Sequence, residues 1–526
     1  MARFDFVVLG SGPAGRRAAI QAAKLGKSVL VVDDRSKVGG VSVHTGTIPS
    51  KTLRETALNL SGWRERGFYG RSYRARGEIV SADLSMRMAR TCEYEAAVLE
   101  HQFARNGVKT MIGRGRFDGQ GSRSEHRVVV ERTEEGRHFE EVIDAGKVLI
   151  AVGTAPHRPR HIPFNDTNVF DSDSFIAKPR LPRSLAVVGG GVIGVEYATI
   201  FSALDVPVTL IDPRQRLLEF LDGEIVDNLV HLMRDNGMTL RLGGMVDKIR
   251  FAANGNPVCM LEDGRQVCTE VVLFTAGRSG ATGSLGLDSV GLEVDRRGYL
   301  EVDRTTFQTG VPGIYTAGDV VGFPCLASVS MEQGRSAACH AFDAPYSTED
   351  QSNPYGVYSV PELSAVGMSE EQVRAAGIPY ECGVARFRET SRGHIMGMDY
   401  GVLKMICARD SRKLLGVHII GEGASELIHI GQAVLNLGGT VDYFVENSFN
   451  YPTLAEGYKI AALDIWNRLQ AQAADVVELA QTPPRVKSSS RAASPSHRAS
   501  IQAASAAASV DRITKFAPVR PSRKKG

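Results

Sequence analysis

Residues 4–10, Phe-Asp-Phe-Val-Val-Leu-Gly, form an almost unbroken apolar run that ends on glycine. That is the pattern of a strand buried on both faces of a parallel sheet. Residues 14–25 have helical composition and 28–32 are apolar again, so the chain opens with a predicted βαβ unit. The same order returns at 184–189, 192–204 and 208–211, which predicts a second unit of the same Rossmann-like kind. Between them, 83–106 reads as a long helix. Residues 108–150 read as short strands with turns, closing on the apolar run 148–152. A further strand is expected at 313–315.

From about 354 the pattern becomes mixed. It predicts a helix near 369–376, strands near 401–408 and 414–420, and helices at 424–436 and 454–470. The expected fold class is therefore α/β, with two Rossmann-like domains followed by an α+β C-terminal domain. Beyond about 472 the periodicity fades into Ala, Ser, Pro, Arg and Lys. Such a segment buries too little apolar area to offset its ordering entropy, and we expect it to be disordered.

Composition narrows the picture. The 526 residues correspond to about three domains at roughly 100–200 residues each. No run approaches the roughly 18 consecutive apolar residues of a membrane span. The first strand begins at residue 4, with no leader-like segment before it, so a cytoplasmic location is expected. Charge is uneven. Residues 482–526 hold ten Lys/Arg against one Asp, while the whole chain carries only +3, so the body before them is net acidic. A basic tail can touch nucleic acid or an anionic surface, but charge runs are more often simply solvated. Nucleic acid is not expected as the main partner. Cys92, Cys259, Cys268, Cys325, Cys339, Cys382 and Cys407 show neither the short spacing of a redox dithiol nor that of a zinc knuckle, and no metal site is expected.

Chemistry concentrates at the two βαβ turns. Gly10-Ser11-Gly12-Pro13-Ala14-Gly15 follows a strand and opens a helix. Gly10 permits the tight turn, Gly12 lets the backbone approach a pyrophosphate, and Gly15 lets helix and strand pack closely. Asp33 ends the next strand, 18 positions after Gly15, where a carboxylate can accept from ribose hydroxyls. Gly189-Gly190-Gly191-Val192-Ile193-Gly194 repeats the logic, with Asp212 18 positions after Gly194. Two complete fingerprints argue for two dinucleotides. A carboxylate at Asp212 favours the free 2′-hydroxyl of NAD, whereas Arg214 and Arg216 suit the 2′-phosphate of NADP. Having both predicts tolerance of both, unless the arginines are merely exposed surface residues.

Residues 38–51, Val-Gly-Gly-Val-Ser-Val-His-Thr-Gly-Thr-Ile-Pro-Ser-Lys, resemble the signature of the flavoprotein disulfide reductases, the lipoamide dehydrogenase and glutathione reductase family. In that family two cysteines stand where this chain has Ser42 and Thr47. The resemblance runs from residue 4 to about 470. It includes Thr309-Gly-Val-Pro-Gly-Ile-Tyr-Thr-Ala-Gly-Asp319, similar to the family's second FAD motif. It implies that Asp319 binds the flavin ribityl chain and that Lys51 sits near flavin N5, paired with Glu196. It further assigns Asp34, Gly39, Gly40, Ser42, Thr47, Gly153 and Ala327 to FAD, and Gly277 to the nicotinamide dinucleotide. The domains it implies are FAD-binding over 1–160 and 286–350, NAD(P)-binding over 161–285 and dimerisation over 351–471; the disordered basic tail expected over 472–526 is not part of the resemblance. The segment Phe449-Asn-Tyr-Pro-Thr-Leu-Ala-Glu456 resembles the family's His-Pro-Thr segment, with Tyr451 at the catalytic histidine position and Glu456 as the remaining carboxylate.

Dithiol and acid/base are thus lost together while both nucleotide motifs remain. With Gly-Trp-Arg-Glu-Arg-Gly-Phe-Tyr-Gly at 62–70, this resembles the soluble, Si-specific pyridine nucleotide transhydrogenase branch. The resemblance implies ping-pong hydride transfer from NADPH to NAD through FAD, with no redox disulfide, in a homodimer or larger homo-oligomer. One alternative is an NAD(P)H oxidase or diaphorase that passes electrons from FAD to oxygen or a quinone. Another is a non-enzymatic redox-sensing or nucleic-acid-binding protein that uses the basic tail.

Overall fold

The computed structural model describes residues 2–120, 126–134, 136–177, 181–347 and 352–481. The opening unit forms as the strand Ala2–Leu9, the helix Pro13–Lys24 and the strand Val29–Asp33. Phe6, Val7 and Val8 are completely buried, as the unbroken apolar run requires. Ala2–Leu9 lies between Val29–Asp33 and Arg137–Ile150, parallel to both. Beyond these come Lys109–Ile112 on one edge and the antiparallel strands His126–Glu134 and Arg114–Gln120 on the other.

The long strand Arg137–Ile150 organises this sheet. Its first part pairs antiparallel with His126–Glu134, and its end pairs parallel with Ile314–Thr316. The late segment around Asp319 is thereby delivered to the carboxyl ends of the first strands, where ligands sit in open α/β sheets. The following helix, Ala327–Ala341, packs on Pro13–Lys24 through alanines on both helices. The approach is close: a Cβ on Gly334 would lie 2.1 Å from the Ala14 carbonyl oxygen.

The second predicted unit is a five-stranded parallel sheet in the order Thr239–Leu242, Val208–Asp212, Leu185–Val188, Val271–Phe274, Val169–Asp171. The third region is an antiparallel sheet in the order Tyr355–Val357, Leu363–Gly367, Leu414–Ile420, Val402–Ala408, Tyr380–Arg386. The helix Ala424–Asn436 falls where its pattern predicted.

Buried charge joins the second and third regions. Lys404, 1% exposed, donates to Asp222 at 3.1 Å and to Glu370, and lies 3.1 Å from Glu224. Burial opposes the ammonium charge, but the bonds it donates to these carboxylates, and their negative charge, prevail and raise the Lys404 pKa. Asp222 also caps the helix Gly223–Asp235 by accepting from the Glu224 N–H.

The last helix, Glu456–Gln481, passes its expected end at 470. Residues 471–481 are mostly Ala, Gln, Val, Leu and Glu with no glycine or proline, so a fading apolar period does not stop the helix. The first breakers are Pro483 and Pro484. The basic stretch 482–526 lies outside the described residues. No helix among the described residues is long and apolar enough to cross a membrane.

Candidate functional site

The first glycine turn is shaped by contacts that exclude side chains. Gly10 has φ +104°, and a Cβ there would meet the Ala151 carbonyl oxygen at 2.4 Å. A Cβ on Gly15 would lie 1.9 Å from the Gly10 oxygen. The helix Pro13–Lys24 starts at Gly12 with no side-chain cap and no acidic residue in its first turn. Its N-terminal N–H groups and dipole therefore suit an anion. Asp33 accepts from the Ser11 N–H at 2.7 Å, the Ser11 hydroxyl at 2.6 Å and the Arg35 N–H at 3.0 Å.

One cleft gathers Gly10, Gly12, Asp33, Asp34, Gly40, Ser42, Thr47, Gly153, Asp319 and Ala327. Residues remote in sequence thus line a single elongated trough. Gly15 and Gly39 are not among the residues that line it; Gly15 lets the helix approach the turn at Gly10. A Cβ on Gly39 would collide with Val43 at 2.6 Å. Asp319 is partly exposed at the cleft, and burial of its carboxyl raises the pKa, with Arg278 opposing. An anionic pyrophosphate suits the N–H donors of the uncapped helix and a polyol suits the acceptor Asp319, and FAD presents both groups.

The second turn repeats the construction more tightly. Gly189 has φ +111°, and a Cβ on Gly194 would lie 1.8 Å from the Gly189 oxygen. The helix Val192–Ala203 starts at Gly191 without a side-chain cap. Asp212, 2% exposed, accepts from the Gly190 N–H. Both of its oxygens also take Arg214, Nε to Oδ1 and Nη2 to Oδ2, each at 2.8 Å. Burial alone would raise the Asp212 pKa, but the Arg214 and Gly190 bonds carry it below the usual carboxylate range. Arg216 stands apart from the expected cluster. Its guanidinium faces Asp227 and Glu371, each at 3.5 Å, because two carboxylates draw it there. Gly277 follows the strand Val271–Phe274, and its carbonyl accepts from the His157 N–H at 3.0 Å.

Lys51 and Glu196 meet. The ammonium donates to both carboxylate oxygens, at 2.9 and 2.7 Å. Glu196 is 4% exposed and also accepts from the Tyr358 N–H at 2.9 Å, while Lys51 Nζ lies 4.9 Å from the Tyr358 ring centre. The pair bridges the two sites. Lys51 is on the helix Thr47–Ser61, which begins at the first cleft, and Glu196 is on the helix that begins at the second turn.

Sequence reasoning missed four contributors: Arg278, Thr154, Asp173 and Tyr358. Arg278 donates to the Thr154 hydroxyl at 2.8 Å, to the Thr154 carbonyl at 2.7 Å and to Asp173 at 3.0 Å. Thr154 and Asp173 line the first cleft. The signal was available, since Arg278 follows Gly277 just past the carboxyl end of a central strand. Tyr358 had no such signal, because its contact with Glu196 spans the second and third regions.

Ser42 and Thr47 line the cleft as hydroxyls, and all seven cysteines are free thiols. Tyr451 is exposed, with its hydroxyl 2.5 Å from that of Ser391. Glu456 Oε2 is buried without a hydrogen-bond partner among the described residues.

The family model described as pyridine nucleotide-disulphide oxidoreductase matches residues 4–334, and that family's dimerisation domain matches 353–462. The chain is 46% identical over 471 residues to a soluble pyridine nucleotide transhydrogenase of Mycobacterium bovis, covering 90% of this chain and 99% of the relative. It is 40% identical to the one of Pseudomonas putida, covering 89% and 99%. Among solved structures, LpdA of Mycobacterium tuberculosis aligns with a TM-score of 0.79 at 28% identity, over 88% of this chain and 99% of that one. The HOCl-induced flavoprotein disulfide reductase RclA of Escherichia coli aligns with a TM-score of 0.77 at 26% identity, over 87% and 99%.

Proposed function

Because the chain belongs to the pyridine nucleotide-disulphide oxidoreductase family, we propose that its two crevices serve one reaction: hydride transfer from NADPH to NAD by way of FAD. FAD, NAD and NADP are its cofactors, and relatives that share close to half its residues carry the transhydrogenase name. The matched dimerisation domain makes the protein a homo-oligomer, which we read as a homodimer.

One observation carries the reading. The Lys51–Glu196 pair is intact between the two crevices, while Ser42 and Thr47 offer only hydroxyls to the cleft. Electrons delivered there have no protein disulfide to reduce. FAD, when bound, supplies the carrier that takes hydride from one nicotinamide and returns it to the next.

The chain's own residues then bind, orient and bias. The glycine turns and uncapped helices hold the two pyrophosphates. Asp33 orients the ribose in the first crevice, and Asp319 orients the ribityl chain. Glu196 fixes Lys51 so that a positive charge is preorganised beside the redox centre, where it favours added negative charge. With Tyr451 in place of a histidine, no side chain acts as obligatory acid or base. We assign transfer to the Si face, which predicts that the pro-S and not the pro-R deuterium of NADPH C4 is lost on flavin reduction. We also assign the cytoplasm as its location.

Anaerobic stopped-flow tests the central reading. NADPH should bleach the flavin band, and excess NAD should restore it with NADH formed at flavin stoichiometry. If the flavin stays reduced until oxygen or a quinone is admitted, the protein is an oxidase or diaphorase and the reading is wrong.

A further inference from the structure

The second crevice and the third region meet at one carboxylate. After Asp212 the chain runs Pro213-Arg214-Gln215-Arg216 and then enters the helix Gly223–Asp235. Arg214 turns back onto Asp212, whereas Arg216 turns the other way, with Nη1 3.5 Å from Glu371 Oε1 and Nη2 3.5 Å from Asp227 Oδ2. Glu371 belongs to the helix Glu370–Ala375 of the third region, and its Oε1 also accepts from the Gly223 N–H at 3.1 Å. A Cβ on Gly223 would lie 1.8 Å from Arg216 Nη2 and 2.3 Å from Glu371 Oε1, so the contact fills the space that glycine leaves. Beside it, Glu370 grips buried Lys404, and the Glu370 N–H donates to Asp222 at 3.1 Å. Glu371 is thus held in place by its neighbour and by backbone.

Resting on the reading that this crevice takes both dinucleotides with Arg214 at the adenosine 2′ position, we propose that Glu371 is a specificity-determining residue. It draws Arg216 away from the 2′ region and so limits the grip on the 2′-phosphate of NADP. The charges around the loop support this. Arg214 cancels Asp212, while Arg216 is outnumbered by Asp227 and Glu371. The two arginines of this loop therefore bring a 2′-phosphate no net positive charge, and NAD, which lacks that phosphate, is less sensitive to the balance. Such restraint suits a reaction that must release NADP before NAD can enter.

The test is calorimetric titration of the FAD-loaded protein with NADP+ and with NAD+, comparing the parent protein with Glu371→Gln. Glutamine keeps an acceptor for the Gly223 N–H while removing the charge. The NADP+ Kd should fall about three- to five-fold, the scale of one half-exposed charge, with the NAD+ Kd unchanged. The gain should shrink at about 0.5 M salt and vanish when Arg216→Ala is added. An unchanged NADP+ to NAD+ ratio, or a parallel shift of both, overturns the proposal. Arg216→Ala alone should leave both affinities nearly unchanged. A selective loss of NADP+ there would mean that Arg216 already reaches the phosphate, and would overturn the proposal independently. A parent protein that binds neither dinucleotide would instead sink the transhydrogenase reading.

Discussion

In the first crevice the carboxylate at the strand end, Asp33, bonds only a serine and backbone N–H groups. In the second, Asp212 is 2% exposed and clasped on both oxygens by Arg214. The glycine turns and uncapped helices are otherwise alike. An open carboxylate suits a cofactor that stays bound and always presents free ribose hydroxyls. A self-neutralised pair suits a site visited in turn by an adenosine with and without a 2′-phosphate. The same fingerprint therefore suits pyrophosphate binding in both crevices, and an arginine follows each carboxylate by two positions. The difference is that Arg35 gives Asp33 only its backbone N–H whereas the Arg214 guanidinium clasps Asp212, and on the proposed reading that clasp sets what exchanges.

The sharpest way to break the comparison is to close one turn at a time. Gly15→Val and Gly194→Val each press a side chain into a carbonyl oxygen less than 2 Å away. Overpacking of that kind costs about 3 kcal/mol or more, an affinity loss of about 100-fold or greater. Gly15→Val should purify colourless. Gly194→Val should stay yellow, reducible by dithionite but not by NADPH. A Gly194→Val protein that still bleaches with NADPH would mean that the second turn is not the nicotinamide site.

Next in size is the bridge between the crevices. Lys51→Met leaves Glu196 buried with only the Tyr358 N–H, an uncompensated charge that costs roughly 2–4 kcal/mol. Flavin reduction by NADPH should slow about 10- to 100-fold, and the flavin potential should fall, as potentiometric titration would show. If reduction is slow but the potential is unmoved, Lys51 orients substrate rather than biasing the flavin. Smaller and more selective is Arg214→Ala. Losing one charge-assisted contact should raise the KM for NADPH about ten-fold and leave that for NAD within about two-fold. Equal effects on both would show that Arg214 only supports Asp212.

The sequence exposed what is local. The turn at 10–15, the turn at 189–194 and the carboxylates at 33 and 212 are spaced by the βαβ unit itself, so each could be placed before any contact was known. The pairing of Lys51 with Glu196 came only through resemblance, because the two residues sit on helices from different units. Arg216 was misplaced for a related reason. Proximity in sequence put it beside Arg214, but Glu371, more than 150 positions away, competes for it. Composition alone also ended the last helix too early, since helix propensity persists where the apolar period stops.

The finest test is pH, because the fold shifts one acid of each crevice in opposite directions, Asp319 up and Asp212 down. The folded-state pKa of Asp319 is raised by burial. A raised carboxyl contributes its stability below the unfolded value of 3.8 and loses it as pH rises through the folded pKa. Near neutrality, then, the charged Asp319 weighs against the FAD-free fold. Asp212 is lowered, so its contribution is present above 3.8 and is lost as pH falls through its folded pKa. In thermal melts of FAD-free protein, Asp319→Asn should therefore raise the Tm at pH 7, with the difference narrowing towards pH 4. Asp212→Asn should lower the Tm at pH 7, and its deficit should also narrow on acidification. With FAD bound the first sign should reverse, because the ribityl hydroxyls then satisfy the carboxylate that asparagine imitates poorly. If Asp319→Asn lowers the Tm with or without FAD, Asp319 is a structural acid of the fold and the two crevices do not differ in this respect.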